Sequence, residues 1–412
     1  MGHVIVGAGL AGARAAEALR ADGYEGQVVL LAAEGRRPYE RPPLSKEYLQ
    51  GAAGLDAVYV HPPDWYSEHD VELRVGAEVG EIDRSAAEVV LADGARVPYD
   101  SLLVATGSSP RRLGAPGADL DGVHYLRTLD DSDRLREALG SAARVAVVGA
   151  GWIGLEVAAA ARTAGSEVTV LEAAEAPLLA ALGPEIAAVF ADLHREHGVD
   201  LRLGVHVAEI VGKDGAVAGV RLADGAVVDA DVVVVGIGAT PNTGLAERAR
   251  LPLDNGIVVD EHLRTGDPRI FAAGDVASIP YPALGRRLRV EHWATAEHSG
   301  AAAARAMLAP EDPATVYDRL PYFFTDQYDL GMEYTGYAAP TDPGHSVELV
   351  VRGDLTGREF IAFWLREGRL VAGMNVNVWD VTEDIERMIR SAAPLDTGRL
   401  ADPDVPLGAF GT

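Results

Sequence analysis

Short apolar runs, glycine turns and alanine-rich stretches follow one another in a fixed order, and the order occurs twice. His3-Val4-Ile5-Val6 reads as a strand, Ala13 to Ala21 as a helix and Gln27-Val28-Val29-Leu30-Leu31 as a second strand. The same series returns as Arg144 to Val148, Leu155 to Ala164 and Glu167 to Leu171. Asp231-Val232-Val233-Val234-Val235 is an apolar run of strand length, far short of a membrane span. Asp93-Gly94, Asp214-Gly215 and Asp224-Gly225 each separate two alternating stretches and predict hairpins. A helix is expected from Ala294 to Leu308, then a linker over Ala309-Pro310-Glu311-Asp312-Pro313. Beyond it, Val347 to Val351, Glu359 to Leu365 and Arg369 to Met374 read as antiparallel strands, closed by a helix near Thr382 to Ser391.

The turn inside each repeat carries the chemistry. Gly7-Ala8-Gly9-Leu10-Ala11-Gly12 and Gly149-Ala150-Gly151-Trp152-Ile153-Gly154 each join a strand to a helix. The first glycine permits the tight turn, the second lets backbone approach a pyrophosphate, and the third lets helix pack on strand. Glu34 and Glu172, near the end of the following strand, are spaced to accept both hydroxyls of a ribose. These are two dinucleotide fingerprints, so the expected fold class is α/β: two Rossmann-type dinucleotide-binding domains plus a small C-terminal α+β domain. Two nucleotides on one chain imply one that stays and one that visits, with electrons passing between them.

At 412 residues the chain exceeds what one core usually supports. It has no cysteine, which excludes the cysteine-pair relay of disulfide reductases and the single-cysteine chemistry of flavin oxidases and peroxidases. The net charge of −26 argues against nucleic acid. No charged-then-apolar leader precedes Val4, so no membrane association is expected and the location expected is cytoplasmic. No metal site is expected.

Further motifs are Pro38-Tyr39-Glu40-Arg41-Pro42-Pro43-Leu44-Ser45-Lys46, Ala105-Thr106-Gly107-Ser108-Ser109-Pro110-Arg111, Gly236-Ile237-Gly238-Ala239-Thr240-Pro241-Asn242 and Ile270-Phe271-Ala272-Ala273-Gly274-Asp275. With the two fingerprints they resemble the FAD- and NAD(P)H-dependent ferredoxin reductases of oxygenase and cytochrome P450 systems, glutathione-reductase-like flavoproteins related to apoptosis-inducing factor. The resemblance is specific to about Gly336 and looser beyond. It implies an FAD-binding domain at residues 1–110 and 229–313, an NAD-binding domain at 111–228 and a C-terminal domain at 314–412.

The resemblance also implies roles for individual residues. Gly7, Gly9, Leu10, Ala11 and Gly12 would bind FAD at their turn, with Glu34 on the adenosine ribose, Arg41 at the pyrophosphate region and the backbone around Val79 at the adenine. Ala105, Thr106, Gly107 and Arg127 would line the same cofactor; Gly274 and Asp275 would take the ribityl chain; and Glu291, His292 and Trp293 would face the flavin. Lys46, one of two lysines in the chain with Lys213, would stand near flavin N5 paired with Glu156. Gly149, Gly151, Ile153, Gly154 and Glu172 would serve the nicotinamide nucleotide, and Gly236 and Gly238 would also bind cofactor. Glu172 repels a 2′-phosphate, and Ala173-Ala174 after it offers no arginine, so NADH is expected over NADPH.

The expected activity is transfer of hydride from NADH to FAD, then of single electrons to an iron–sulfur ferredoxin feeding a P450 or Rieske oxygenase. The alternatives are reduction of a quinone or monodehydroascorbate, and a redox-sensing protein similar to apoptosis-inducing factor. A monomer or homodimer is expected. An acidic ferredoxin needs a local basic patch, and Arg286-Arg287-Arg289 and the Arg387-Arg390 pair are the candidates. Phe324 stands where the family often has Trp near the flavin edge.

Overall fold

The computed structural model describes residues 2–309, 312–341 and 346–411. Pro310 and Glu311, within the expected linker, lie outside the described residues. The chain divides into two compact units, Met1–Glu40 with Leu55–Ser109 and Thr240–Pro321, and Arg41–Gly54 with Pro110–Ala239 and Tyr322–Thr412.

In the first unit a parallel sheet runs in the order Val71–Arg74, Val28–Leu31, Gly2–Val6, Arg96–Val104, Ile270–Ala272. Its central strands are wholly buried, which is why they are runs of Val, Ile and Leu without alternation. Val79–Asp83 and Glu88–Leu91 extend the sheet antiparallel, turning at Asp93-Gly94 into Arg96–Val104 as expected. The Leu10–Ala21 helix lies against the Trp293–Leu308 helix so closely that a Cβ on Gly300 would stand 2.1 Å from the Ala11 carbonyl oxygen. Small residues on both helices make that approach possible.

The second unit repeats the plan with strands Asp200–Arg202, Glu167–Leu171, Arg144–Val148, Val232–Val235 and Val123–His124, all parallel. The hairpins at Asp214-Gly215 and Asp224-Gly225 form a separate sheet of Val207–Lys213, Ala216–Leu222 and Val227–Asp229. Five antiparallel strands follow, in the order Tyr322–Gln327, Leu330–Gly336, Arg369–Val376, Glu359–Arg366, Glu348–Asp354. The Thr382–Ser391 helix covers this sheet with Ile385, Met388 and Ile389, an i, i+3, i+4 stripe. The segment Arg41–Gly54 belongs to this unit because Leu49 sits in its core and Ser132 Oγ donates to the Leu44 carbonyl. No helix among the described residues is long and apolar enough to cross a membrane.

Candidate functional site

The two fingerprint loops have the same construction. In the first unit a Cβ on Gly7 would stand 2.2 Å from the Ala105 carbonyl oxygen, and one on Gly12 would stand 2.0 Å from the Gly7 oxygen. In the second unit Gly149 meets the Gly236 oxygen at 2.4 Å and Gly154 meets the Gly149 oxygen at 2.1 Å. Backbone occupies the space a side chain would need, so these four positions admit only glycine. The middle glycines differ: a Cβ on Gly9 would meet nothing within 4 Å, and one on Gly151 only the Gly236 oxygen at 3.9 Å. Both stand at the N-caps of Leu10–Ala21 and Trp152–Thr163, where no side chain caps the helix. Open space beside uncapped amides fits a pyrophosphate.

Each loop has its acid nearby. The Tyr39 hydroxyl donates to Glu34 in the first unit. In the second, Glu172 accepts from the backbone N–H of Ala150 at 2.6 Å and of Ala174 at 2.8 Å, which sets its carboxylate against the fingerprint loop. Ile153 is 45% exposed at the start of its helix, whereas Leu10 and Ala11 are buried in theirs. Gly238 accepts from the Arg111 N–H at 2.9 Å, holding the Gly236-Ile237-Gly238 turn.

The other first-unit candidates are tied together by hydrogen bonds. Thr106 Oγ1 donates to the Asn242 carbonyl at 2.9 Å, Asn242 Nδ2 returns to the Thr106 carbonyl at 2.8 Å, and Asn242 N–H donates to Gly107 at 2.9 Å. Buried Asp275 accepts from Ser108 Oγ at 2.9 Å, and Gly274 N–H donates to Ser299 Oγ at 2.9 Å. His292 stands at the N-cap position of the Trp293–Leu308 helix; burial lowers its imidazole, and Asp275 opposes that shift. Trp293 Nε1 donates to Glu40 at 3.2 Å, Glu291 pairs with Arg289, and Val79 pairs with Leu91 across its hairpin.

In the second unit Arg41 donates to the Arg127 carbonyl. Arg127 is held in turn by the Thr128 and Asp131 capping box at the start of the Leu129–Leu139 helix. Two prolines open the short Pro42–Ser45 helix that ends at Lys46. Lys46 Nζ lies 2.9 Å from Glu156 Oε1, with side chains 13% and 5% exposed, and 5.7 Å from the centre of the Phe324 ring. Removing either partner of so buried a pair would leave an uncompensated charge, at a cost of about 3–5 kcal/mol. Sequence reading passed over Ser45 and Thr325, which both donate to Glu156, at 2.5 and 2.6 Å. The overlooked signal was a polar residue on the inward-facing register of the strand that carries Phe324.

Against the expected basic patches, the arginines are already engaged. Arg287 donates to the carbonyls of Val259 and Ser278, Arg289 pairs with Glu291, Arg387 with Asp384 and Arg390 with Glu386. Acids a few residues away offset the charge of Arg289, Arg387 and Arg390, while Arg287 keeps its charge but is tied to two backbone carbonyls.

Residues 1–300 match the family model described as pyridine nucleotide-disulphide oxidoreductase, and residues 322–410 match the reductase C-terminal model. The chain belongs to this family. Among its relatives are the rhodocoxin reductase of Rhodococcus erythropolis, 39% identical over 99% of this chain and 93% of that one, and the ferredoxin–NAD(+) reductase component of the anthranilate 1,2-dioxygenase system of Burkholderia cepacia, 42% identical over 99% and 98%. The putidaredoxin reductase in a covalent complex with putidaredoxin has the same fold, with a TM-score of 0.93 and 37% identity over 99% of this chain and 97% of that one. The relatives are thus ferredoxin reductases of oxygenase and P450 systems, and the chain is a flavin- and nicotinamide-dependent oxidoreductase of that type.

Proposed function

We propose that this reductase takes hydride from NADH on FAD and passes electrons to an iron–sulfur ferredoxin that supplies a P450 or Rieske oxygenase. One observation carries the reading: two dinucleotide loops of the same construction stand in a chain without cysteine, so electrons have no thiol relay to leave by. When bound, FAD supplies the chemistry of accepting two electrons as hydride and releasing them singly. In this reading residues 1–110 and 240–313 hold FAD and 111–239 hold NADH, the boundary moving from 229 because Val232–Val235 and Gly236 belong to the second sheet and its loop, and 314–412 form the C-terminal domain. Gly7, Gly9, Gly12, Glu34, Thr106 and Asp275 bind the resident cofactor, and Gly149, Gly151, Gly154 and Glu172 bind the visiting one. Lys46 keeps one positive charge beside the flavin, and Glu156 holds that charge in place. Phe324 presents an aromatic face close to the ammonium.

The test is anaerobic addition of NADH to purified protein, followed by an oxidised ferredoxin. The expected result is a yellow protein that bleaches with NADH and recovers its colour within one mixing with ferredoxin. A protein that takes up no FAD would overturn the cofactor assignment. Bleaching without reoxidation by ferredoxin, but with reoxidation by a quinone, would replace the partner with a small acceptor.

A further inference from the structure

Side chains alternate between faces along Tyr322–Gln327, and the alternation turns Thr325 and Gln327 inward, each 1% exposed. Valine and leucine would fill that space without the cost of desolvating polar atoms. The two residues instead belong to one hydrogen-bonded chain inside the second unit. His194, wholly buried, places Nε2 2.9 Å from Gln327 Oε1. Gln327 Nε2 donates to Thr325 Oγ1 at 3.2 Å. Thr325 Oγ1 donates at 2.6 Å to Glu156 Oε1, the oxygen that Lys46 Nζ meets at 2.9 Å. Ser45 Oγ donates at 2.5 Å to the other carboxylate oxygen.

The direction of the chain follows from the chemistry of its members. An amide oxygen only accepts, so the proton shared with His194 sits on Nε2. A threonine hydroxyl has one proton, and the carboxylate can only receive it. Every donor in the series therefore points toward Glu156, and each bond polarises the next. Burial lowers the His194 imidazole to about 4, so the ring is a neutral donor.

We propose that Thr325, backed by Gln327 and His194, acts with Ser45 to position Glu156, holding its carboxylate in one orientation and sharing its charge so that Lys46 is neither released nor over-bound. The proposal rests on the placement of Lys46 and Glu156 at the flavin argued above. Without the Thr325 hydroxyl, Oε1 is left to Lys46 alone. The carboxylate then draws more strongly on the ammonium, and less of that positive charge reaches a ring that becomes anionic on reduction.

The test compares Thr325→Val, equal in shape but without the hydroxyl, with Thr325→Ser, which restores it. Two quantities are read: the reduction potential of the bound flavin, and the acylation of Lys46 relative to Lys213 by mass spectrometry, where the second lysine is an internal reference. Thr325→Val should lower the flavin potential and reduce the Lys46 to Lys213 labelling ratio about fivefold, part of the effect of a lost hydrogen bond to a charged group. Thr325→Ser should stay at wild-type values in both. Ser45→Ala, outside the sheet, should move both readouts in the direction of Thr325→Val, and provides the measurement if the valine variant does not fold. A valine variant equal to wild type, a rise in labelling, or a serine variant equal to the valine one would overturn the proposal. If Lys46→Ala itself leaves the potential unchanged, the flavin placement of the pair fails, while the labelling ratio still reports whether Thr325 holds Glu156.

Discussion

At the scale of single residues, the reductase uses carboxylates in two settings. Glu156 is buried under three donors, whereas Glu172 is held against the second fingerprint loop by two backbone amides. In the proposed reading, the second arrangement sets a negative charge near the ribose of the visiting nucleotide, where a 2′-phosphate would be repelled. The proposal expects wild type to prefer NADH and Glu172→Ala to narrow that preference by roughly 1–3 kcal/mol, the worth of one repelled charge at partial burial. The measurement is kcat/KM for both nucleotides in wild type and variant, and a wild type that already uses both equally would remove Glu172 from this role. Glu172 was legible in the sequence because the acid follows its strand at a set distance. The donors to Glu156 were not, because Ser45 and Thr325 come from distant parts of the chain and meet only when folded.

At the scale of elements, the strand–turn–helix unit is the repeated device, and its glycines are its most intolerant positions. A Cβ on Gly12 or Gly154 would enter a backbone carbonyl, which cannot give way as a flexible side chain can. Gly12→Val and Gly154→Val should each displace the helix from its strand. The Gly12 variant should lose bound flavin on purification, and the Gly154 variant should keep its colour but raise the KM for NADH at least tenfold, about 1.4 kcal/mol or more. Absorbance of the purified proteins and steady-state kinetics decide this; loss of flavin from both alike would show that the two loops do not serve separate nucleotides. Many strand and helix positions were readable from apolar runs, down to the Thr382–Ser391 helix, because their periodicity is local, but the strands Tyr322–Gln327 and Leu330–Gly336, interrupted by polar residues and glycine, were not. The membership of Arg41–Gly54 was not readable, since it depends on what Leu44 and Leu49 pack against.

At the scale of the whole molecule, buried histidines couple stability to pH. His194 titrates near 6.5 when unfolded and near 4 in place, because burial disfavours the charged ring. Above about pH 6.5 both states are neutral and the residue adds no pH dependence; as pH falls toward 4 the unfolded chain gains the proton first, so stability is lost across that window. The loss is on the order of 1 kcal/mol by about pH 5.5 and approaches about 3 kcal/mol near pH 4. His194→Gln, which can still donate to Gln327, should flatten the dependence of the urea midpoint between about pH 7.5 and 5.5 relative to wild type. Parallel profiles for the two proteins would show that His194 is not the group responsible.

The amino-acid sequence by itself determined the two strand–turn–helix units with their glycine loops, the acid that follows each, and the exclusion of thiol chemistry, because these depend on residue type and on short-range spacing. The tertiary structure decided the rest. It showed that Arg289, Arg387 and Arg390 are paired with nearby acids and that Arg287 donates to two backbone carbonyls. It also brought Ser45, His194, Thr325 and Gln327 to bear on one carboxylate. Charge on a surface and order in a hydrogen-bonded chain are properties of neighbours in space, and linear spacing carries no record of them.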